Sequence, residues 1–225
     1  VQGASDVGAV PQKYSDYRDI ANPAVRARHE EVWKASMPSQ PGLWLTDMIH
    51  AAHAGKLKAL WAVADDLVQS MPRMDYTVEA LRKLDFLVVQ ELFLTETAKL
   101  ADVVLPGASC FEKDGTLVNS DRRIQRVRIV TPPPGECKSD AEIIALIAEA
   151  MGHDLGFGLP PDPRKIMQEI ALLTPNWAGV NYDRLDALGF IQWPCVSDQD
   201  PGSALIHKNG HFMNGKARFF PTPWE

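Results

Sequence analysis

The 225 residues carry a formal net charge of −6, with 45% hydrophobic and 23% charged side chains. That is ordinary for a globular protein and long enough to bury a core in one domain, with or without extensions. The acidic balance repels nucleic acid, the Arg122-Arg123 pair sits in a polar turn as a solvated hairpin end, and no apolar run approaches the about 20 residues needed to cross a bilayer. Cys110, Cys137 and Cys195 lie far apart and form no CxxC pair, so neither a disulfide framework nor a zinc or iron–sulfur site is encoded here. Three separated cysteines fit a reducing compartment, and a cytoplasmic location is the expectation.

In chain order, residues 1–40 are rich in Gly, Pro and polar side chains and read as an entering loop with a short helix over 23–36. Leu45, Met48, Ile49 and Ala52 fall at helical spacing within 42–55, closed by Gly55. A compact apolar strand follows over 57–64, then a helix over 76–84 and a second strand over 86–89, which together make a right-handed parallel βαβ unit. Another short strand covers 103–105. Residues 116–119 and 124–130 read as strands around an Asn-Ser-Asp-Arg turn. Ser139 caps a helix with an acidic first turn that runs to Met151, and its apolar side chains Ile143, Ile144, Ile147 and Ala148 are expected to pack on the sheet. Helices are predicted over 163–173 and 182–188, the second ending at Gly189. Beyond Gln192 the pattern dissolves, with a possible hairpin over 210–220.

The stretch 86–125 holds the polar groups that matter. An apolar strand runs straight into Gln90, Glu91, Thr95 and Thr97, and a second strand opens into a turn rich in glycine and charge. Open α/β sheets place their ligands at the carboxyl ends of such strands. Asp65 and Asp66 occupy the corresponding place after 57–64. Carboxylates there accept paired hydrogen bonds from a guanine edge or a ribose diol, or they cap an exposed turn. In Glu112-Lys113-Asp114-Gly115-Thr116, Gly115 can adopt a positive φ and bring backbone near a ligand. Lys113 can neutralise a diphosphate or face solvent, and Asp140 either contacts a ligand or complements a helix dipole. The six histidines, at 29, 50, 53, 153, 207 and 211, show no metal spacing and read as surface or helix-edge residues. No histidine is placed to activate Ser109 or Cys110, Trp177 and Trp193 read as packing anchors, and there is neither a P-loop nor a GxGxxG.

Five collinear blocks carry a resemblance to a known family. They are VQGASDVGAVP, GLWLTDMIHAAHAGKLKALW, VVQELFLTETAKLADVVLP running on to EKDGTLVNSDRRIQ, SDAEIIALIAEAMG and LGFIQWPC. The chain resembles the molybdopterin-dinucleotide oxidoreductases and, within them, formate dehydrogenase large subunits. The fold this implies is α/β: a Rossmann-like parallel sheet flanked by helices, with irregular N- and C-terminal extensions. Residues 1–40 would be the end of a preceding domain, 41–155 the dinucleotide-binding domain, and 156–225 an extension leading to a further domain after Trp224. The resemblance assigns Asp66, Gln90 and Glu91 to the guanosine end of a molybdopterin guanine dinucleotide and Lys113 and Asp140 nearer its middle, with Thr95 as a further cofactor-binding candidate. Ala64 stands where the family commonly has glycine, Leu67 where it has proline, and Glu91 where it more often has aspartate.

The intact enzyme implied would oxidise formate at molybdenum or tungsten and pass electrons through iron–sulfur clusters to electron-transfer subunits. The family's active centre uses cysteine or selenocysteine followed by histidine. No Cys-His pair occurs in these residues, so the chemistry is expected to lie outside them. A nitrate reductase, or a non-catalytic scaffold like the large iron–sulfur subunit of respiratory complex I, shares enough of the pattern to stand as an alternative.

Overall fold

The computed structural model describes residues 2–210, 212, 215–221 and 223. The entering segment is more ordered than its composition suggests. It forms a short helix α1 (Gln2–Asp6), a two-residue hairpin β1 (Lys13–Tyr14) and β2 (Arg18–Asp19), and α2 (Pro23–Trp33). Pro23 opens α2 with its fixed φ, the Asn22 side chain accepts from the amides of Ala24 and Val25, and Lys34 ends the helix in the left-handed region. His29 overturns the surface reading of the histidines. It is buried, stacks on Tyr14 at 4.1 Å, and its Nδ1 lies 2.9 Å from the Val25 carbonyl. Spacing along α2 could not reveal this, because the face that buries His29 is covered by the hairpin.

The central layer follows as α3 (Leu45–His53), β3 (Ala59–Val63), α4 (Leu67–Ser70), α5 (Met74–Leu81), β4 (Phe86–Glu91) and β5 (Val103–Pro106). The three strands are parallel in the order β3-β4-β5, with Val63 paired to Gln90 and Gln90 to Leu105. Their carboxyl ends therefore lie level along one sheet edge. Ile49 and Ala52 of α3, Ala80 and Leu81 of α5, and Ala62, Leu87 and Val89 of the strands interlock as one core. Alternation explains the choice of residues. In β4, Leu87 and Val89 are buried against the helices while Phe86, on the other face, is exposed.

A second layer is antiparallel. β6 (Gly115–Val118) and β7 (Arg123–Val127) form the expected hairpin, and β8 (Phe190–Gln192), a strand that sequence reading missed, adds to β7. Between them come α6 (Asp140–Ala150), α7 (Pro163–Leu173) and α8 (Tyr182–Leu188), the last closed by Gly189 at φ 79°. Ile124, Met167, Trp177, Leu185, Ile191 and Cys195 share this core. Arg122, read as a solvated hairpin end, instead pairs with the fully buried Asp6 at 2.7 Å and lies 3.5 Å over the Trp193 ring, tying α1 to the hairpin.

Helix α6 also departs from expectation. None of its residues joins the core beneath the parallel sheet, and Ile144 is exposed, although Ile143 and Ala145 are buried. Its apolar stripe marked a face without marking what that face meets. Gly115 needs no positive φ. It opens β6 opposite Val127, and a Cβ there would meet nothing within 4 Å. The hairpin expected over 210–220 lies partly outside the described residues. Among the described residues no helix is long and apolar enough to cross a membrane.

Candidate functional site

Two strand ends, one hydrogen-bonded strand apart, present the predicted groups. After β3 the chain turns at Ala64, held at φ 53° with its amide donating to the Gln90 carbonyl at 2.9 Å. An L-residue in the left-handed region costs about 1–2 kcal/mol, so the turn works against the methyl group. Asp66 is then taken up by hydrogen bonds to neighbouring connections. Its Oδ1 accepts from the Thr97 amide at 3.0 Å and hydroxyl at 2.6 Å, and its Oδ2 accepts from Gln69 at 2.7 Å. The Thr97 oxygen in turn accepts from the Val68 amide at 2.9 Å. Burial alone would raise the Asp66 carboxyl, but the Thr97 hydroxyl and amide outweigh it and hold the group below the ordinary carboxylate range. Thr95 accepts from the Ala98 amide and so helps to shape the same connection.

At the end of β4 the arrangement differs. Gln90 is 1% exposed, and its Nε2 donates to Asp140 Oδ1 at 2.7 Å. A carboxylate only accepts, so this bond fixes which end of the amide is nitrogen. The amide oxygen, Oε1, is consequently turned away from Asp140, and it is buried without a protein donor. The second oxygen of Asp140 takes the ammonium of Lys113. Asp140 arrives here because residue 138 runs as a short parallel bridge beside Gly107. Ala108 donates to the Lys138 carbonyl and Lys138 to the Pro106 carbonyl. Ser139 then caps α6 by accepting from the Glu142 amide.

Gln90, Glu91, Lys113 and Asp140, together with Ala64 and Gly107, line one cavity of about 100 Å³. The structure thus brings together four of the six predicted site residues. Asp66 and Thr95 are not in that lining. One oxygen of Glu91 accepts from the Leu92 amide, which turns the carboxylate at the cavity mouth. Sequence reading missed Gly107 and Ala108 as lining residues. Their only signal was their place just after a parallel strand, which is where such sites form.

A buried acceptor, a carboxylate and an ammonium around one cleft suit a ligand that offers N–H donors at one end and negative charge at the other. The other sequence candidates stay structural. His50 meets the Tyr76 hydroxyl at 3.0 Å and His53 meets Glu79 at 3.3 Å, as helix-edge residues would. All three cysteines are free, and burial pushes the Cys195 thiol up. Among the described residues no three His, Cys, Asp or Glu side chains are grouped to hold a metal ion.

The family model for molybdopterin oxidoreductases matches residues 2–150. A Staphylococcus haemolyticus protein named as a formate dehydrogenase is 40% identical over the whole chain, which covers 23% of that protein. The alpha subunit of an F420-dependent formate dehydrogenase from Methanococcus maripaludis is 41% identical over 92% of the chain, covering 30% of its own length. The chain thus spans roughly a quarter of the curated relatives it matches. Among solved structures, acetylene hydratase from Pelobacter acetylenicus superposes on 76% of the chain and 24% of its own, with a TM-score of 0.54 and 21% identity, a likeness of fold alone.

Proposed function

Because the chain belongs to the molybdopterin oxidoreductase family, we propose that it is the dinucleotide-holding part of a formate dehydrogenase catalytic subunit, taking a molybdopterin guanine dinucleotide that carries molybdenum or tungsten. The observation that carries this reading is the Gln90 amide oxygen, buried beside the cavity with no protein donor. Guanine presents adjacent N1–H and N2–H₂ donors, and both Gln90, with its unpartnered Oε1, and Glu91, with its carboxylate, line the same cleft as acceptors for them. A buried acceptor without a partner costs about 1–3 kcal/mol, which a ligand donor would recover.

In this reading Lys113 supplies positive charge toward the diphosphate, and Asp140 orients Lys113 and Gln90 together. Asp66 and Thr95 act at one remove by holding the connection that follows Glu91. When bound, the metal–pterin group would supply the redox chemistry by which formate becomes carbon dioxide. This chain's residues bind and orient that group and keep water from its base end. The active-centre residues, the iron–sulfur clusters and the electron-transfer subunits belong to parts of the enzyme outside these 225 residues. The relatives' names support formate as the substrate.

In the full-length protein, Gln90→Ala combined with Glu91→Ala is expected to lower molybdenum or tungsten content and formate oxidation together, by about tenfold or more, a loss of at least 1.4 kcal/mol of binding. Elemental analysis of the purified protein decides it. Normal metal loading in the double variant would remove these two residues from the site.

A further inference from the structure

Lys113 and Asp140 are shared by two cavities. One is the 100 Å³ cleft beside Gln90; the other, of about 250 Å³, is floored by Ile166 and Met167 and edged by Thr116 and Tyr182, and both residues of the pair line each of them. Neither cavity reaches the about 300–1,000 Å³ typical of a pocket that buries an organic ligand, but the two joined would. Lys113 and Asp140, with Cys110, are common to both linings, and the first two form an ion pair whose side chains are 28% and 39% exposed, weak enough to be exchanged.

Asp140 also satisfies, from within the chain, what an anion would satisfy. It neutralises Lys113, and it is the first residue of the 11-residue helix α6, whose N-terminal end favours negative charge. Its other oxygen separately holds Gln90 Nε2. The carboxylate can therefore release Lys113 and still hold the Gln90 amide through Nε2.

We infer, on the basis of the dinucleotide reading above, that Asp140 is a stand-in for the ligand's phosphate: an entering nucleoside diphosphate displaces it from Lys113 and joins the two cavities into one trough. Asp140 keeps Lys113 extended and in place before the ligand arrives, and ligand affinity is lowered by the competition. The carboxylate is a positioning group and an electrostatic competitor, so removing its charge strengthens binding.

Guanosine diphosphate titrated into the full chain by calorimetry at low ionic strength tests this. Asp140→Asn keeps an oxygen for Gln90 and is expected to bind guanosine diphosphate about tenfold more tightly, because Lys113 no longer has to be drawn out of an ion pair before it can meet the phosphate. Lys113→Met is expected to bind about tenfold more weakly, and adding Asp140→Asn to it should restore little, because no lysine is left to release. Unchanged or weaker binding by Asp140→Asn overturns the inference, as does a full tenfold gain in the Lys113→Met background. If no variant binds, the wild type included, the dinucleotide reading fails and the stand-in role falls with it.

Discussion

At the end of β3 the Asp66 carboxylate accepts from Thr97 twice and from Gln69 once, whereas at the end of β4 the Gln90 amide oxygen accepts from nothing in this chain. The strands are neighbours in register, and both ends carry a polar residue where an α/β sheet gathers ligands. The first end is saturated by its own polypeptide and ties two connections together. The second is built with one acceptor left over, beside a cavity and within reach of an ammonium. A polar group at a strand end is therefore not evidence of a ligand until its hydrogen bonds have been accounted for.

The comparison is sharpest where the saturated end is broken. Asp66→Ala strands the amide and hydroxyl of Thr97, which is fully buried, and should cost about 2–4 kcal/mol in urea unfolding, since hydrogen bonds to a charged acceptor contribute about 1.5–3 kcal/mol each. The same contact gives an acid signature. Burial pushes the Asp66 carboxyl up but the Thr97 bonds win, so its folded pKa lies below its unfolded one. A depressed carboxyl contributes stability that is fully present above the unfolded value of about 4 and is lost as pH falls through the lower folded value. Asp66→Asn should flatten that part of the stability curve. A mutant that loses stability in parallel with wild type below pH 4 would show that Asp66 is not the group responsible. The smallest effect is expected from Ala64→Gly. Relief of the left-handed strain is partly offset by the greater freedom of glycine in the unfolded chain, for a net gain of about 0.5 kcal/mol by thermal melting.

Elements whose signal is local could be read before any coordinates. The βαβ unit shows as two compact apolar runs on either side of a helical repeat, and α7 and α8 match their predicted bounds because Asp162, Asn181 and Gly189 punctuate them. What was hidden depends on contacts distant in sequence. β8 is only three residues long and exists by pairing with β7, some 67 positions earlier. Thr97 meets Asp66 from 31 positions away, and Asp140 meets Gln90 across 50. The candidate residues were thus recognisable as types at strand ends, but nothing in their spacing told the saturated end from the open one. Burial of His29 beneath the hairpin, and of Asp6 under Arg122, likewise turns on a partner brought by the fold.

A crystal structure of the full-length protein with its native cofactor tests the central claim most directly. A purine N–H donor is expected within about 3.2 Å of Gln90 Oε1, the usual limit for such a bond, with Asp66 still closed on Thr97. A dinucleotide base bound elsewhere, with Gln90 Oε1 meeting no ligand atom, would contradict it.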